Sequence, residues 1–139
     1  MNNYYNDNEN LKFYLQHPDM QKLVTLREQS FVEYGKFTDA PANADEGIAN
    51  YDKAMELVGD IAANVIAPNA EDVDKEGPHI ENGRIVYAKG TQENHEALQN
   101  AGLYGLTLPR KYNGLNCPYV PHMVAKPASA RDTISSAIT

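Results

Sequence analysis

One helical seam constrains the fold of this chain more than any other feature. Between positions 48 and 65, apolar residues recur at alternating intervals of three and four, which is the spacing of one face of an α-helix. The seam consists of Ile48, Tyr51, Met55, Val58, Ala62 and Val65. We therefore predict a long amphipathic helix that begins near Asp45 and buries this face in a small all-α domain of up-down and orthogonal helices.

Pro68 interrupts this predicted helix. Proline has no backbone N–H and clashes with the preceding turn, so it either kinks a helix or stands at the first position of a new one. We predict a kink or a restart at Pro68, followed by a short helical extension that reaches Val73 before Gly77 and Pro78.

Residues 79–87 change from a helical to an alternating pattern. Asn82 and Gly83 separate two short apolar runs, and both residue types tolerate the positive φ angles of a tight hairpin turn. Two short strands cannot form an independent sheet. We therefore predict an Asn-Gly hairpin or an ordered loop that is inserted into the helical domain.

The part of the chain before residue 45 carries weaker signals. Residues 1–17 are polar and show no clear apolar period, so we expect them to pack as an arm. Residues 19–34 carry a rough apolar stripe, which predicts a helix that ends at Gly35. Residues 36–44 are typical of a loop.

A further helix is predicted after the hairpin. Thr91 is a suitable N-cap for it, and Gly102 is a suitable residue to end it. The chain is then expected to run extended over residues 103–108, until Pro109.

The last predicted helix begins at Tyr119, after a turn at residues 112–114. Pro127 should break this helix after two turns, because proline cannot supply the backbone donor that a helix interior requires. The stretch 126–139 is rich in small and polar residues, and no single structure is predicted for it.

The negative charge of the chain is localised. The formal net charge is −7, and residues 45–76 carry nine acids and two bases. Because nucleic acid attracts clustered Lys and Arg, this distribution argues against a nucleic-acid partner, and a solvated helix face is the expected role of the acids. The chain shows neither a signal peptide nor an apolar run that could span a bilayer, so we expect a cytoplasmic location.

Residues that could carry chemistry are scattered along the sequence. The four histidines are His17, His79, His95 and His122, and no two of them have metal-ligand spacing. We expect each to be a surface or half-buried side chain. The sequence offers no nucleotide-binding glycine motif and no nucleophile signature. We therefore assign no catalytic, cofactor-binding or metal-binding residue, and the substrate-binding residues stay unknown.

Two further positions have open interpretations. Cys117 precedes a proline in a loop without a nucleophile signature, so it could equally be a small apolar filler. The Arg110-Lys111 pair could meet an anionic ligand or a partner domain, although a solvated loop is the favoured interpretation.

Two segments resemble the acyl-CoA dehydrogenase family. AGLYGLTLPRKYNGLNCP (residues 101–118) is similar to the family's loop between the third and fourth helices, with its AGL-GL helix end, its extended GL-LP stretch and its Tyr-Gly-Gly-Leu turn. VIAPNAEDVDKEG (residues 65–77) is similar to the family's proline-interrupted helix. The resemblance covers about residues 45–124. The helical lead and the Asn-Gly insertion resemble the larger members of the family.

The resemblance implies a division of the chain into three parts. Residues 45–125 correspond to the N-terminal helical domain of the family, residues 1–44 form an arm and a helix, and residues 126–139 form a divergent tail. Asn113 stands where the family usually has the first glycine of its turn. Because the likeness stops after Ala125, we hypothesise a truncation such as a frameshift, which translation of the downstream DNA in the other two frames tests.

The resemblance also implies a function for the full-length family. Its members use FAD to oxidise an acyl-CoA thioester to the trans-2-enoyl form. A carboxylate removes the α proton, flavin N5 accepts the β hydride, and an electron-transfer partner reoxidises the flavin. The flavin-binding sheet domain and the bundle with the catalytic glutamate follow this domain in the family. This chain alone is therefore expected to bind no FAD and to be inactive, and its exposed apolar face is expected to favour self-association.

Two other hypotheses stand beside this one. The chain could be a stand-alone helical module that binds other proteins without catalysis. It could also be an unrelated helical protein whose loop matches by chance. Whether the chain belongs to an enzyme therefore stays open at the level of sequence.

Overall fold

The computed structural model describes residues 2–130, with side chains described as far as Pro127. Over these residues the chain is mostly helical, which confirms the all-α class. The α-helices are α1 (Glu9–Gln16), α2 (Met20–Arg27), α3 (Ala44–Ile61), α4 (Ala67–Glu76), α5 (Lys89–Asn100) and α6 (Tyr119–Ala130), and the strands are β1 (His79–Glu81) and β2 (Arg84–Val86). A π-helical segment (Ala62–Ile66) and two 3-10 turns (Leu103–Gly105 and Arg110–Tyr112) complete the regular structure.

Helix α3 is the centre of the core. It contacts α1, α2, α5 and α6. In the predicted seam, Tyr51, Met55 and Val58 are at most 1% exposed. The outer seam residues Ile48 and Val65 are partly buried and pack against the same core. The prediction of one long buried helix face is therefore confirmed.

The helix is continuous through the predicted restart at Pro68. The π-helical segment joins α3 to α4, and Pro68 stands in the first turn of α4, where its missing N–H costs little. The extension reaches Glu76 and not only Val73 as predicted. Val73 is buried, and Gly77 ends the helix with a φ of +60°.

The Asn-Gly hairpin is present. Strands β1 and β2 pair in antiparallel register, with Ile80 opposite Ile85. Asn82 and Gly83 have φ angles of +51° and +74°, as a tight hairpin turn requires. The hairpin is largely exposed, with Ile80 75% and Ile85 68% accessible to solvent.

The N-terminal arm contains a helix that the sequence did not predict. Asn8 caps α1 by accepting hydrogen bonds from the amides of Asn10 and Leu11. Leu11 and Leu15 then bury one face of the helix. Because only two apolar residues define this face, the sequence shows no period over residues 1–17.

Helix α2 is shorter than the predicted helix over residues 19–34. It ends at Arg27, and the next residues leave the helical conformation, with positive φ angles at Gln29, Ser30 and Phe31. This early end turns the chain at Glu28, whose side chain enters the interior. The boundary therefore coincides with a buried carboxylate, which forms an ion pair with Arg110.

Helix α5 begins two residues before the predicted N-cap. Thr91 lies inside the helix and is buried, so it is not the cap. The carboxylate of Glu76, at the end of α4, accepts a hydrogen bond from the Lys89 amide at 3.2 Å. Gly102 follows the helix with a φ of +70°, which confirms the predicted end.

Helix α6 contradicts the predicted break at Pro127. The helix continues through this proline to Ala130. Val124 and Ala125 are buried against the core, whereas Met123 and Pro127 are exposed. Pro127 has no N–H to donate to the carbonyl of Met123, four residues earlier. Because Met123 is exposed, water can bind this carbonyl. Most of the stretch 126–139, for which no structure was predicted, lies outside the described residues.

Candidate functional site

A groove between α3 and residues 101–118, which we call the connector, is the candidate site. Two adjoining cavities form it, with volumes of about 280 Å³ and 400 Å³. Asp39, Asn50, Lys53 and Leu115 line both cavities, which makes them one continuous depression.

The two ends of the groove differ in chemistry. The apolar end is lined by Ala54, Leu57, Ala101, Leu103 and Leu106. The polar end is lined by Thr38, Asp39, Glu46, Asn50, Tyr51, Lys53 and Arg110. Within the described part of the chain, the side chains of Asn50 and Lys53 make no hydrogen bond, so both are available to a ligand.

The connector is folded on itself and is not the extended stretch that was predicted. Its first half forms a 3-10 turn over Leu103–Gly105. The amides of Leu115, Asn116 and Cys117 then donate to the carbonyls of Gly105, Leu108 and Leu106, at 2.8–2.9 Å. These three bonds close the connector into a compact loop.

The turn at the tip of this loop depends on Asn113 and Gly114. Asn113 has a φ of +61°, so it takes the left-handed conformation that was expected of it. A β carbon placed on Gly114 would overlap the carbonyl oxygen of Leu108. Glycine is therefore required at position 114 by lack of space.

A buried ion pair anchors the connector beneath the polar end of the groove. The guanidinium of Arg110 donates two hydrogen bonds to the Glu28 carboxylate, at 2.6 Å and 2.9 Å. The Arg110 side chain is 2% exposed and that of Glu28 1%. This bidentate geometry is the strongest form of an arginine–carboxylate contact.

Further partners surround the guanidinium of Arg110. Glu33 accepts a hydrogen bond from Nη1 at 3.0 Å, and the Leu115 carbonyl accepts one from Nη2 at 3.4 Å. The remaining nitrogen, Nε, is buried and makes no hydrogen bond, although an oxygen of Asp39 lies 3.5 Å away. Three carboxylates therefore surround one guanidinium.

The Glu28 carboxylate also has partners besides Arg110. The Tyr51 hydroxyl donates to it at 2.7 Å, and Asn116 donates at 3.4 Å. Burial by itself raises the pKa of Glu28, but the hydrogen bonds from Arg110 and Tyr51 outweigh burial and hold the pKa below its ordinary value. Glu28 is therefore ionised and is a poor candidate for a general base.

The prediction that Arg110 and Lys111 lie in a solvated loop is wrong for Arg110, which is buried. It is confirmed for Lys111, which is exposed. Burial lowers the pKa of Arg110, yet the hydrogen bonds to Glu28 and Glu33 raise it above its already high value. The sequence gives no signal for this contact, because Glu28 and Arg110 are 82 residues apart. Both residues are therefore structural anchors that sequence reasoning missed.

A second arginine attaches α2 to the connector. Arg27 donates to the carbonyl of Asn116 at 3.1 Å and to that of Thr107 at 2.6 Å. Arg27 and Glu28 are neighbours in sequence, so the end of α2 holds both halves of the connector. This explains how a segment rich in glycine and proline keeps one shape.

The four histidines and Cys117 do not come together into a reactive centre. His17, His79 and His95 are exposed and His122 is half-buried, as expected. Among the described residues, no three His, Cys, Asp or Glu side chains are placed to hold a metal ion. Cys117 is 1% exposed, and burial raises the pKa of its thiol to about 12, which fits an apolar filler and not a nucleophile.

The acids of residues 45–76 are mostly exposed, which confirms a solvated helix face. Over residues 2–130, no helix is both long enough and apolar enough to cross a membrane. Comparison of the chain with protein-family models, with curated proteins and with solved structures gives no match.

Proposed function

We propose that this chain is the N-terminal helical domain of an FAD-dependent acyl-CoA dehydrogenase of the larger type. The full enzyme would oxidise an acyl-CoA thioester to its 2-enoyl form. The chain would contribute structure, because no described residue is placed to act as the base.

The connector is the observation that carries this proposal. The segment that resembles the family's loop joins two helices, α5 and α6, as that resemblance requires. Its glycine-ended helix, its proline and its Asn-Gly turn form one compact unit that the buried Arg110 and the partly buried Arg27 anchor. The coincidence of the resembling segment with this unit supports the proposal.

The interrupted helix gives secondary support. The segment at residues 65–77 contains the change from α3 through the π-helical segment to α4. Pro68 lies two residues after the end of the π-helical segment, in the first turn of α4. The helical path is continuous here, but its α-helical hydrogen bonding changes just before the proline, which supports the proposal.

The groove does not fit the pyrophosphate of FAD. Asp39 and Glu46 line its polar end, and the charge of Arg110 is already neutralised by Glu28 and Glu33. Only Lys53 is a free cation there among the described residues. We therefore route no step of flavin chemistry through this groove, and FAD contacts are proposed for other domains.

Reconstitution tests the proposal. The chain would be mixed with a polypeptide that carries the flavin-binding and C-terminal helical domains of a larger acyl-CoA dehydrogenase. We expect co-elution, retained yellow colour and bleaching when acyl-CoA thioesters of graded length are added. An unrelated helical domain is the control. Absence of both flavin retention and bleaching would contradict the proposal.

A stand-alone protein-interaction module is the second candidate function. Large apolar side chains are exposed on two helices that contact each other, α1 and α6. They include Phe13, Tyr14, Tyr119 and Met123. Their exposure is the observation behind this candidate and behind the predicted self-association, which stays a prediction.

Analytical sedimentation of the isolated chain, together with the reconstitution experiment, distinguishes the two candidate functions. A defined oligomer without any flavin retention after mixing would favour the interaction module. A marginally stable chain that becomes monodisperse only with the flavin domains would favour the acyl-CoA dehydrogenase domain.

A further inference from the structure

The chain contains two Asn-Gly dipeptides, at Asn82-Gly83 and Asn113-Gly114. In such a dipeptide, glycine has no side chain to hinder attack of its own amide nitrogen on the asparagine side chain. We propose that Asn82 is a site of spontaneous deamidation and isoaspartate formation in the folded protein, and that the fold protects Asn113 from the same reaction.

The reaction needs only the chain and water. The backbone nitrogen of Gly83 loses its proton and forms a bond to Cγ of Asn82. The bond from Cγ to the side-chain nitrogen breaks, and that nitrogen takes up a proton and leaves as ammonia. Water then opens the five-membered imide at either of its two C–N bonds. The products are aspartate or isoaspartate at position 82, without any oxidation or reduction.

The hairpin leaves this dipeptide free to react. Asn82 and Gly83 are exposed, and nothing lies within 4 Å of a β carbon built on Gly83. Neither the Asn82 side chain nor the Gly83 amide makes a hydrogen bond within residues 2–130. Each strand has three residues, and five of the six are exposed. The rotation that brings nitrogen to Cγ therefore requires only local opening of a marginal element.

The connector holds the other dipeptide closed. The Asn113 amide donates to the Arg110 carbonyl at 2.8 Å, and the Gly114 amide, which would be the attacking group, donates to the Pro109 carbonyl at 3.3 Å. Gly114 also packs directly against the backbone of Leu108. Rotation at this turn must break these bonds and disturb the segment that the buried Arg110 anchors.

The modification would change the hairpin. Both products add a negative charge beside Glu81, and isoaspartate also adds one carbon to the backbone of a two-residue turn. The register that places Glu81 opposite Arg84 depends on the length of that turn. Conversion at Asn82 is therefore expected to separate the two strands without reaching the core.

Ageing of the folded protein tests the proposal. The chain would be held at mildly alkaline pH and body temperature, and both dipeptides would be followed by peptide mass spectrometry. Methyl transfer by an isoaspartyl methyltransferase would report isoaspartate. We expect Asn82 to react at least ~10 times faster than Asn113, since each ~1.4 kcal/mol of extra opening free energy is a factor of ten. Equal rates, or a faster Asn113, would overturn the proposal.

Two controls make the result specific to the fold. In denaturant both dipeptides should react at similar rates, because the protection of Asn113 is then lost. Asn82→Gln should remove the signal at position 82 and leave the slow reaction at Asn113 unchanged. If Asn82 reacts in denaturant but stays intact in the folded protein, the hairpin is more rigid than we infer and the proposal fails.

Discussion

The hairpin turn and the connector turn place one dipeptide in two physical settings. Asn82 and Asn113 have nearly the same φ, +51° and +61°. Gly83 is needed for its positive φ and has open space around it, whereas Gly114 is needed because a side chain would meet the backbone of Leu108. The comparison teaches that an identical local signal can mark either an exposed turn or a packed one.

Replacement of the buried Arg110 should have the largest effect on the difference between the hairpin turn and the connector turn. Arg110→Met leaves the Glu28 carboxylate buried without its main partner, which typically costs about 3–5 kcal/mol of unfolding free energy. Urea denaturation measures this loss. Deamidation at Asn113 should then approach that at Asn82, because the anchor of the connector is gone.

Lys111→Met is the matched control for this variant, since Lys111 is exposed and adjacent. We expect the control to change stability by no more than about 0.5 kcal/mol. If Arg110→Met is equally mild, the buried ion pair does not hold the connector.

A side chain at position 114 should have the next largest effect. In Gly114→Ala the new β carbon meets the Leu108 backbone, which cannot rotate away as a side chain could. We expect a loss of about 1–3 kcal/mol, as for other overpacked sites. Thermal unfolding monitored by circular dichroism measures it, and an unchanged midpoint would show that the connector turn has free space.

Acid should weaken the ion pair that anchors the connector. The pKa of Glu28 is lower in the folded chain than its ordinary value, so its stabilisation is complete above that ordinary value and is lost as pH falls through the folded pKa. The unfolding free energy should therefore decrease on acidification. Glu28→Gln should reduce the dependence of the unfolding free energy on pH. If the unfolding free energy of Glu28→Gln depends on pH as steeply as that of the unsubstituted chain, Glu28 is not the cause of the acid sensitivity.

The smallest effect is expected at the hairpin. In Gly83→Ala the new methyl group meets no atom, but the positive φ costs an ordinary residue about 1–2 kcal/mol. Because the hairpin can open alone, most of this cost should appear as faster amide hydrogen exchange in residues 79–86 and not as a lower midpoint. A loss of global stability as large as that of Gly114→Ala would break the comparison between the two turns.

The long helix and both turns could be predicted because their signals are local. The spacing of the apolar residues from Ile48 to Val65 indicates one buried helix face. Each Asn-Gly dipeptide indicates a turn with positive φ angles. Helix ends were predicted less well. Glu76 caps α5 from another helix, and α2 stops at Glu28, whose partner Arg110 is 82 residues away, so each boundary depends on a contact that is distant in sequence.

The anchors of the candidate groove could not be predicted for the same physical reason. Arg110 in a loop has the pattern of a solvated charge, and its burial depends on a carboxylate brought close by the tertiary fold. No periodicity or motif reports such a pair. The apolar end of the groove was equally hidden, because Leu57 and Leu106 come from segments that meet only in the folded chain.

The pairing of Glu28 with Arg110 has a consequence for the order of folding. The two residues are separated by 82 positions, and Arg27 reaches Asn116 across 89. Closing such long loops is entropically costly, so these contacts are expected to form after the helices have docked. During synthesis, Glu28 leaves the ribosome long before its partner exists. The first half of the chain must therefore keep a carboxylate in water until the connector arrives, and burial of that charge is expected to be a late step of folding.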